Sequence, residues 1–403
     1  MDVKELFSGV AVVIDDEIYD GDANISNILM QIKKQNIPYL PYTSLPSEDI
    51  LSNFHNLSFL LLDWRLVKDE ISEEDLMNGV RLPAVWSEGQ ANENIEFLKK
   101  LTGICFSPIF IFSNENHELI IAKLESAGIY SAAKPNHIFV KSKSDLIGRT
   151  KLFNEIDAWV KKNPSIYVLK TWEKEYHQSN NQLFADFQKL SPMWPKIMWK
   201  TFSDDGAIKS LELGELISRN LFTRMTPFEF SDDVLGKRGY KIEDADIKRV
   251  LEGERFLKKE NIHVENISTG DLFKEEYKED NATKYRYYLN IRAQCDLIRS
   301  SDIDKIELYC LKGRVIPTNT INKKDGITFR SGEFLERINH AVIPFLDNGM
   351  IIEFLFRDLK IKTWKELKNK RIGRLLPPYI NKVQQRYTLY LQRQGLPRIP
   401  EII

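Results

Sequence analysis

The sequence predicts an α/β fold built on a parallel sheet, followed by a helical segment and then an α+β region. Two observations carry this. In the first 150 residues, four short hydrophobic runs each end in a charged or hydroxyl residue, and from about Glu265 the texture changes to alternating, aromatic-rich runs. Val10–Ile14 runs into Asp15-Asp16-Glu17, and Phe59–Leu62 into Asp63. Pro108–Phe112 runs into Ser113-Asn114, and Ile138–Val140 into Lys141. Apolar runs of this length, rich in β-branched and aromatic residues, suit strands buried on both faces of a parallel sheet. Ligands of open α/β sheets bind just beyond the carboxyl ends of the strands. Three acids, a hydroxyl and an ammonium are therefore expected at one crevice.

These endings, in this order, resemble the receiver domain of two-component response regulators over roughly residues 6–162. The resemblance implies a doubly wound, five-stranded, flavodoxin-like sheet. It implies Mg2+ held by Asp15, Asp16 and Asp63, with Asp63 as phosphoacceptor, Ser113 as switch hydroxyl and Lys141 as phosphate lysine. A histidine kinase or phosphotransfer protein is the implied partner. The residue types suit the chemistry. Magnesium prefers hard oxygen ligands, a carboxylate can be a covalent nucleophile toward phosphorus, and a lysine neutralises charge on the transferred group.

The chain departs from the family pattern in three places. Asp63 and Ser113 are 50 positions apart, which implies an insertion at about 66–100 containing the polar run Lys68–Asp75. It reads as a surface insertion or as a lid beside the crevice. The phosphate lysine is ambiguous, because Lys134-Pro135 mimics the family's Lys-Pro pair and Lys143 is a third candidate. Lys141 is preferred here, since an apolar strand precedes it and an amphipathic helix, Asp145 to Lys162, follows with Leu146, Phe153, Ile156 and Val160 on one face. Acids around Ser113-Asn114-Glu115 also crowd the switch hydroxyl.

Length and composition suit two or three domains, each able to bury a core. No apolar run approaches bilayer length, and Met1–Glu5 lacks the basic start of a signal peptide, so no membrane association is expected. Cys105, Cys295 and Cys310 are scattered and form no metal-ligand spacing, so a reducing cytoplasm is expected. The formal net charge of −1 hides an asymmetry. Residues 1–163 carry 24 acids against 16 bases, whereas residues 281–403 carry 12 acids against 23 bases. The basic part suits a polyanion or an acidic surface.

The expected domains are 1–162, a helical middle at 163–262, and a basic α+β output region at 263–403. Amphipathic helices are expected at Trp172–Leu190, Leu211–Phe222 and Asp244–Lys259, with a loop at Ser231–Gly239. Strands are expected at Tyr285–Ile291 and Ile306–Leu311. The last 70 residues read as helical, including Phe334–Phe345 and Thr363–Lys370.

Two output chemistries are considered. Gly270–Phe273 followed by Tyr287–Leu297 is faintly similar to the small β-barrel toxin family that includes messenger-RNA interferases. Asp296 followed by Glu307-Leu308-Tyr309 approximates the paired acids of restriction-type nucleases, but Tyr309 stands where that motif has lysine. Lys370, Arg371, Arg374, Arg386 and Arg393, interleaved with tyrosines, have the composition that grips nucleic acid; a solvated helix face has it too. The sequence reading is a phosphorylation-controlled signalling protein with a non-standard output, of the texture seen in bacterial anti-phage systems. An effector nuclease or RNA-cleaving toxin, a non-enzymatic pseudo-receiver scaffold, and a homodimer stay open.

Overall fold

A computed structural model of the chain describes residues 6–66, 84–225, 228–236, 242–280, 282–297, 302–317 and 339–393. The polar run Lys68–Asp75 and the C-terminal tail from Gln394 lie outside the described residues. Two compact units emerge: Met1–Ser191 with Ser218–Arg238, and Pro192–Ile217 with Gly239–Ile403. The expected middle segment is thus divided between the two units.

In the first unit, β1 (Ala11–Ile14), β2 (Tyr39–Tyr42), β3 (Leu60–Leu62), β4 (Ile109–Ser113) and β5 (Ile138–Ser142) form an all-parallel sheet in the order β2-β1-β3-β4-β5. Helices α1 (Ala23–Lys34), α2 (Ala84–Ile104), α3 (His117–Ser126) and α4 (Lys151–Val160) follow β1, β3, β4 and β5, and a single helical turn, Glu48–Leu51, lies between β2 and β3. Successive strand residues point to opposite faces, and both faces are covered. Val13, Phe59, Leu61, Phe110 and Phe112 pack with Ile25, Ile28 and Ile32 of α1 and Phe153, Ile156 and Val160 of α4. Val12, Ile14, Leu60, Leu62 and Ile111 pack with Leu98 and Leu101 of α2 and Ile120 and Leu124 of α3. Burying each such side chain contributes about 1.5–3 kcal/mol, which explains why the strands read as unbroken apolar runs. The edge strand β2 escapes that signature, because its Pro41 is tolerated only at a sheet edge and its side chains are half-buried or exposed.

The helix expected from Asp145 begins only at Lys151. A 3-10 turn, Lys143–Leu146, precedes it, and Ile147-Gly148-Arg149-Thr150 separates the two. After α4 comes α5 (Pro164–Leu190), with proline in the first turn, where its missing N–H costs nothing. Helices α6 (Trp194–Asp204) and α7 (Lys209–Arg224) follow, and a single turn at Asp232–Leu235 interrupts the expected loop. No helix among the described residues is long and apolar enough to cross a membrane.

The second unit is an antiparallel sheet of seven strands in the order β10-β11-β9-β8-β7-β12-β6. The strands are β6 (Phe256–Lys258), β7 (Asp271–Glu279), β8 (Ala282–Asn290), β9 (Glu307–Ile316), β10 (His340–Leu346), β11 (Met350–Thr363) and β12 (Arg371–Leu375). Helix α8 (Asp244–Arg255) ends earlier than expected, because Phe256 leads into β6. The helical reading of the last 70 residues holds at Thr363–Lys370, where Thr363 caps a helical turn at Trp364–Leu367 that runs into a 3-10 turn at Lys368–Lys370, but it fails before that. Residues 340–363 form a hairpin, and 334–338 lie outside the described residues. The turn explains it: Asp347, Asn348 and Gly349 all have positive φ (47°, 66° and 78°), the conformation that joins twisted antiparallel strands and suits Asn-Gly. Among the described residues only α9 (Tyr379–Gln392) is a long helix here, and its Ile380 and Val383 cover the sheet beside Tyr287, Phe354 and Phe356.

Candidate metal centre at the strand ends

Register alone brings the first-unit candidates to one edge. Ile14 pairs with Leu62 and Leu62 with Ile111, so Asp15, Asp63 and the Ser113 end of β4 leave the sheet side by side. The Asp63 N–H donates to the Ile14 carbonyl at 2.8 Å, which holds the two aspartates at adjacent strand exits. Carboxylate oxygens of Asp15, Asp16 and Asp63 all lie within 4.8 Å of one another. Asp15 and Asp63 are buried, and Asp16 starts a 3-10 turn capped by Asp15, whose Oδ1 accepts the Glu17 N–H at 3.0 Å. Ser113 is buried at the end of β4, where its Oγ accepts a long 3.4 Å hydrogen bond from the Glu115 N–H.

Among the described residues the cation in this cluster is Lys143. Its fully buried Nζ lies 2.7 Å from Asp15 Oδ2, 2.5 Å from Asp63 Oδ2 and 3.7 Å from Glu17 Oε2. Lys141, preferred from the sequence, instead pairs with Glu155 of α4 at 2.9 Å, and Lys134 is exposed in a turn. The reason is the two-residue period of a strand. Lys141 shares its face with Phe139, which stacks on Trp159 of α4 at 5.7 Å, so Lys141 is drawn to that helix. The strand continues through Ser142, and the 3-10 turn then carries Lys143 back over the edge.

Burial is the largest influence on Asp15, Glu17 and Lys143. It pushes the Asp15 carboxyl up to about 6, against the pull of Lys143. It raises Glu17 in the same way, again opposed by Lys143. For Lys143 burial acts downward, but the charges of Asp63 and Asp15 outweigh it and hold the ammonium above its ordinary range. A buried cluster with more carboxylates than cations is short of positive charge. Its all-oxygen donor set is what Mg2+ prefers. The residues present therefore fit a divalent cation at Asp15, Asp16 and Asp63.

One contributor was missed in the sequence. Asn94, fully buried on α2, donates from Nδ2 to the Trp64 carbonyl at 2.7 Å and so pins the chain just after Asp63. It lies within what reads as a surface insertion, and no motif marks it. Trp64 itself is a core residue at 3 % exposure.

The output candidates are not brought together in the same way. Asp296 and Glu307 are both exposed; Asp296 borders a cavity of about 200 Å3 with Tyr309 and Tyr387, and Glu307 does not line it. Arg371 and Arg374 are held by the fully buried Asp271 at 3.5 and 2.7 Å and by carbonyls of His263, Val264 and Asn266. The guanidiniums of both arginines are thus engaged within the protein. Lys370 pairs with Glu275 at 2.6 Å, and Arg393 lies over Tyr390 and donates to Asn339. Arg386, on α9, is also engaged within the protein.

Comparison with protein-family models, curated proteins and solved structures finds no match for this chain.

Proposed function

We propose that the first unit is a receiver of the response-regulator type that accepts a phosphoryl group on Asp63 in the presence of Mg2+ and controls the second unit. The observation that carries this reading is the buried contact of Lys143 with both Asp15 and Asp63 at the carboxyl edge of a parallel sheet in the order β2-β1-β3-β4-β5. In the transfer, an Asp63 carboxylate oxygen forms the new bond to phosphorus. The bond from phosphorus to the donor's nitrogen or oxygen breaks, and its electron pair leaves with the donor. Magnesium, when bound by Asp15, Asp16 and Asp63, supplies positive charge against the phosphoryl oxygens. Lys143 pairs with those oxygens once Asp63 carries the acyl phosphate, and the Ser113 hydroxyl donates to them. The added charge then biases a two-state element. A histidine kinase or phosphotransfer protein is the donor this chemistry calls for, in a reducing cytoplasm, with anti-phage defence as the proposed setting.

The test is incubation of the whole chain with acetyl phosphate and Mg2+, followed by intact-mass measurement. A gain of one phosphoryl mass in the wild type and none in Asp63→Asn is expected. No gain in the wild type, or a gain that persists in Asp63→Asn, overturns the proposal.

A further inference from the structure

The second unit carries a cationic sheet face that the phosphoacceptor chemistry does not use. Paired residues on neighbouring strands share a face. Lys312 pairs with Tyr288, Lys360 with Cys310 and Lys362 with Leu308, so Lys312, Lys360 and Lys362 lie on one side of the sheet with Tyr288. Arg286, two residues before Tyr288, joins them, its guanidinium 3.8 Å from the ring centre of Tyr277. Lys370 reaches the same place from the segment before β12, since both it and the Tyr288 hydroxyl bond the Glu275 carboxylate, at 2.6 and 3.2 Å.

These charges are balanced only in part, and Arg286 acts electrostatically on the exposed Glu279. Glu275 is engaged by Lys370, whose hydrogen bond, helped by Tyr288 and Lys362, holds its carboxyl below the usual range. Lys362 has Glu366 at 3.8 Å. Lys312 and Lys360 have no carboxylate partner among the described residues. The apolar cluster of Trp364, Leu367, Leu297 and Ile306 covers one end of this face, whereas Lys360 is exposed and Arg286, Lys312, Lys362 and Lys370 are half-exposed.

We propose that the face formed by Arg286, Lys312, Lys360, Lys362 and Lys370 binds the sugar–phosphate backbone of a single-stranded nucleic acid. The cations complement phosphates, and the Arg286–Tyr277 pair supplies a flat surface for a base, the combination used by sequence-tolerant single-strand binders. Strands β11, β9, β8 and β7 are consecutive in the sheet. At about 4.8 Å between strands they span about 14 Å, too broad to enter a duplex major groove of about 12 Å. This moves nucleic-acid contact away from Arg371 and Arg374, whose guanidiniums are spent on Asp271, and onto the open sheet.

The experiment is fluorescence anisotropy of the whole chain with labelled single-stranded RNA and DNA oligonucleotides and with a duplex of the same length, across a salt series. Single strands are expected to bind at low ionic strength. Lys312→Glu/Lys360→Glu weakens them by about tenfold or more, and the magnitude of the log–log salt slope falls by about 1.4, the value for two lost contacts to a single strand. Lys312→Arg/Lys360→Arg keeps the affinity, and an unchanged melting temperature certifies folding in each variant. Absence of single-strand binding by the wild type, tighter binding of the duplex, or full affinity in the folded glutamate variant overturns the proposal.

Discussion

Lys143 Nζ lies 2.5 Å from Asp63 Oδ2 in a pocket where the lysine is fully buried. Eighty positions separate the two residues, yet the strand order makes them neighbours at one sheet edge. Among the described residues the contact leaves the cluster dependent on a single ammonium, since the same Nζ also serves Asp15 at 2.7 Å.

Removing that ammonium is therefore expected to be severe. Lys143→Met leaves Asp15 and Asp63 buried without their counter-ion, and loss of one partner from a buried pair costs about 3–5 kcal/mol. Lys141→Met breaks only a partly exposed pair with Glu155, worth less than about 1 kcal/mol. Urea denaturation of the two variants checks this; equal midpoints would remove the special role assigned to Lys143.

Magnesium is expected to raise the melting temperature of the wild type, because a ligand that binds only the folded state stabilises it by about 2.7 kcal/mol at a hundred times its dissociation constant. For a unit of this size each kcal/mol is about 2–4 °C. Asp16→Asn removes one carboxylate of the triad and should lose most of that shift. Differential scanning fluorimetry with and without Mg2+ decides, and an identical shift in the variant would exclude Asp16 as a ligand.

His137, ahead of β5, has its pKa lowered from 6.5 by burial, and its Nε2 has no hydrogen-bond partner among the described residues. A group whose folded pKa is depressed contributes stability that is present above its unfolded pKa. That stability is lost as the pH falls below 6.5, with a slope of at most about 1.4 kcal/mol per pH unit. Asp15 works in the opposite sense, since its raised value favours the folded state as the pH drops from about 6 toward 4. The difference between wild type and His137→Phe isolates the histidine. Chemical denaturation between pH 7 and 5 should show that difference shrinking on acidification, and a constant difference would refute the assignment.

Gly270 opens β7 with φ +91°, and a Cβ there would sit 2.3 Å from the Leu375 carbonyl oxygen. Gly270→Ala combines a disfavoured backbone region with a clash against main chain, so a loss of about 2 kcal/mol or more is expected. The melting temperature reads it, and a variant as stable as the wild type would show that the β7–β12 pairing can shift.

What the sequence discloses follows burial. Parallel strands covered on both faces have to be apolar throughout, so β1, β3, β4 and β5 announce themselves, and their polar endings mark the sheet edge. The edge strand β2 is half-exposed and leaves no such run. The hairpin of β10 and β11 is missed for another reason. Its Asp347-Asn348-Gly349 turn is the informative signal, whereas the apolar spacing around it also fits a helix.

Asp15, Asp16, Asp63 and Ser113 are legible by position alone, because a residue that ends a buried strand has nowhere to go but the edge. The choice among Lys134, Lys141 and Lys143 is not. A difference of two residues decides whether a side chain faces α4 or returns over the crevice, and that depends on where β5 ends and its 3-10 turn begins. The same limit governs Arg371 and Arg374. In sequence they are part of a basic stretch, and only the pairing of β12 with β7 delivers them to the buried Asp271, 100 positions away. The sequence by itself determined the strands and the acids at their ends. The tertiary structure decided which cations those acids, and Asp271, would hold, because ion pairing depends on angles and registers that no local pattern contains.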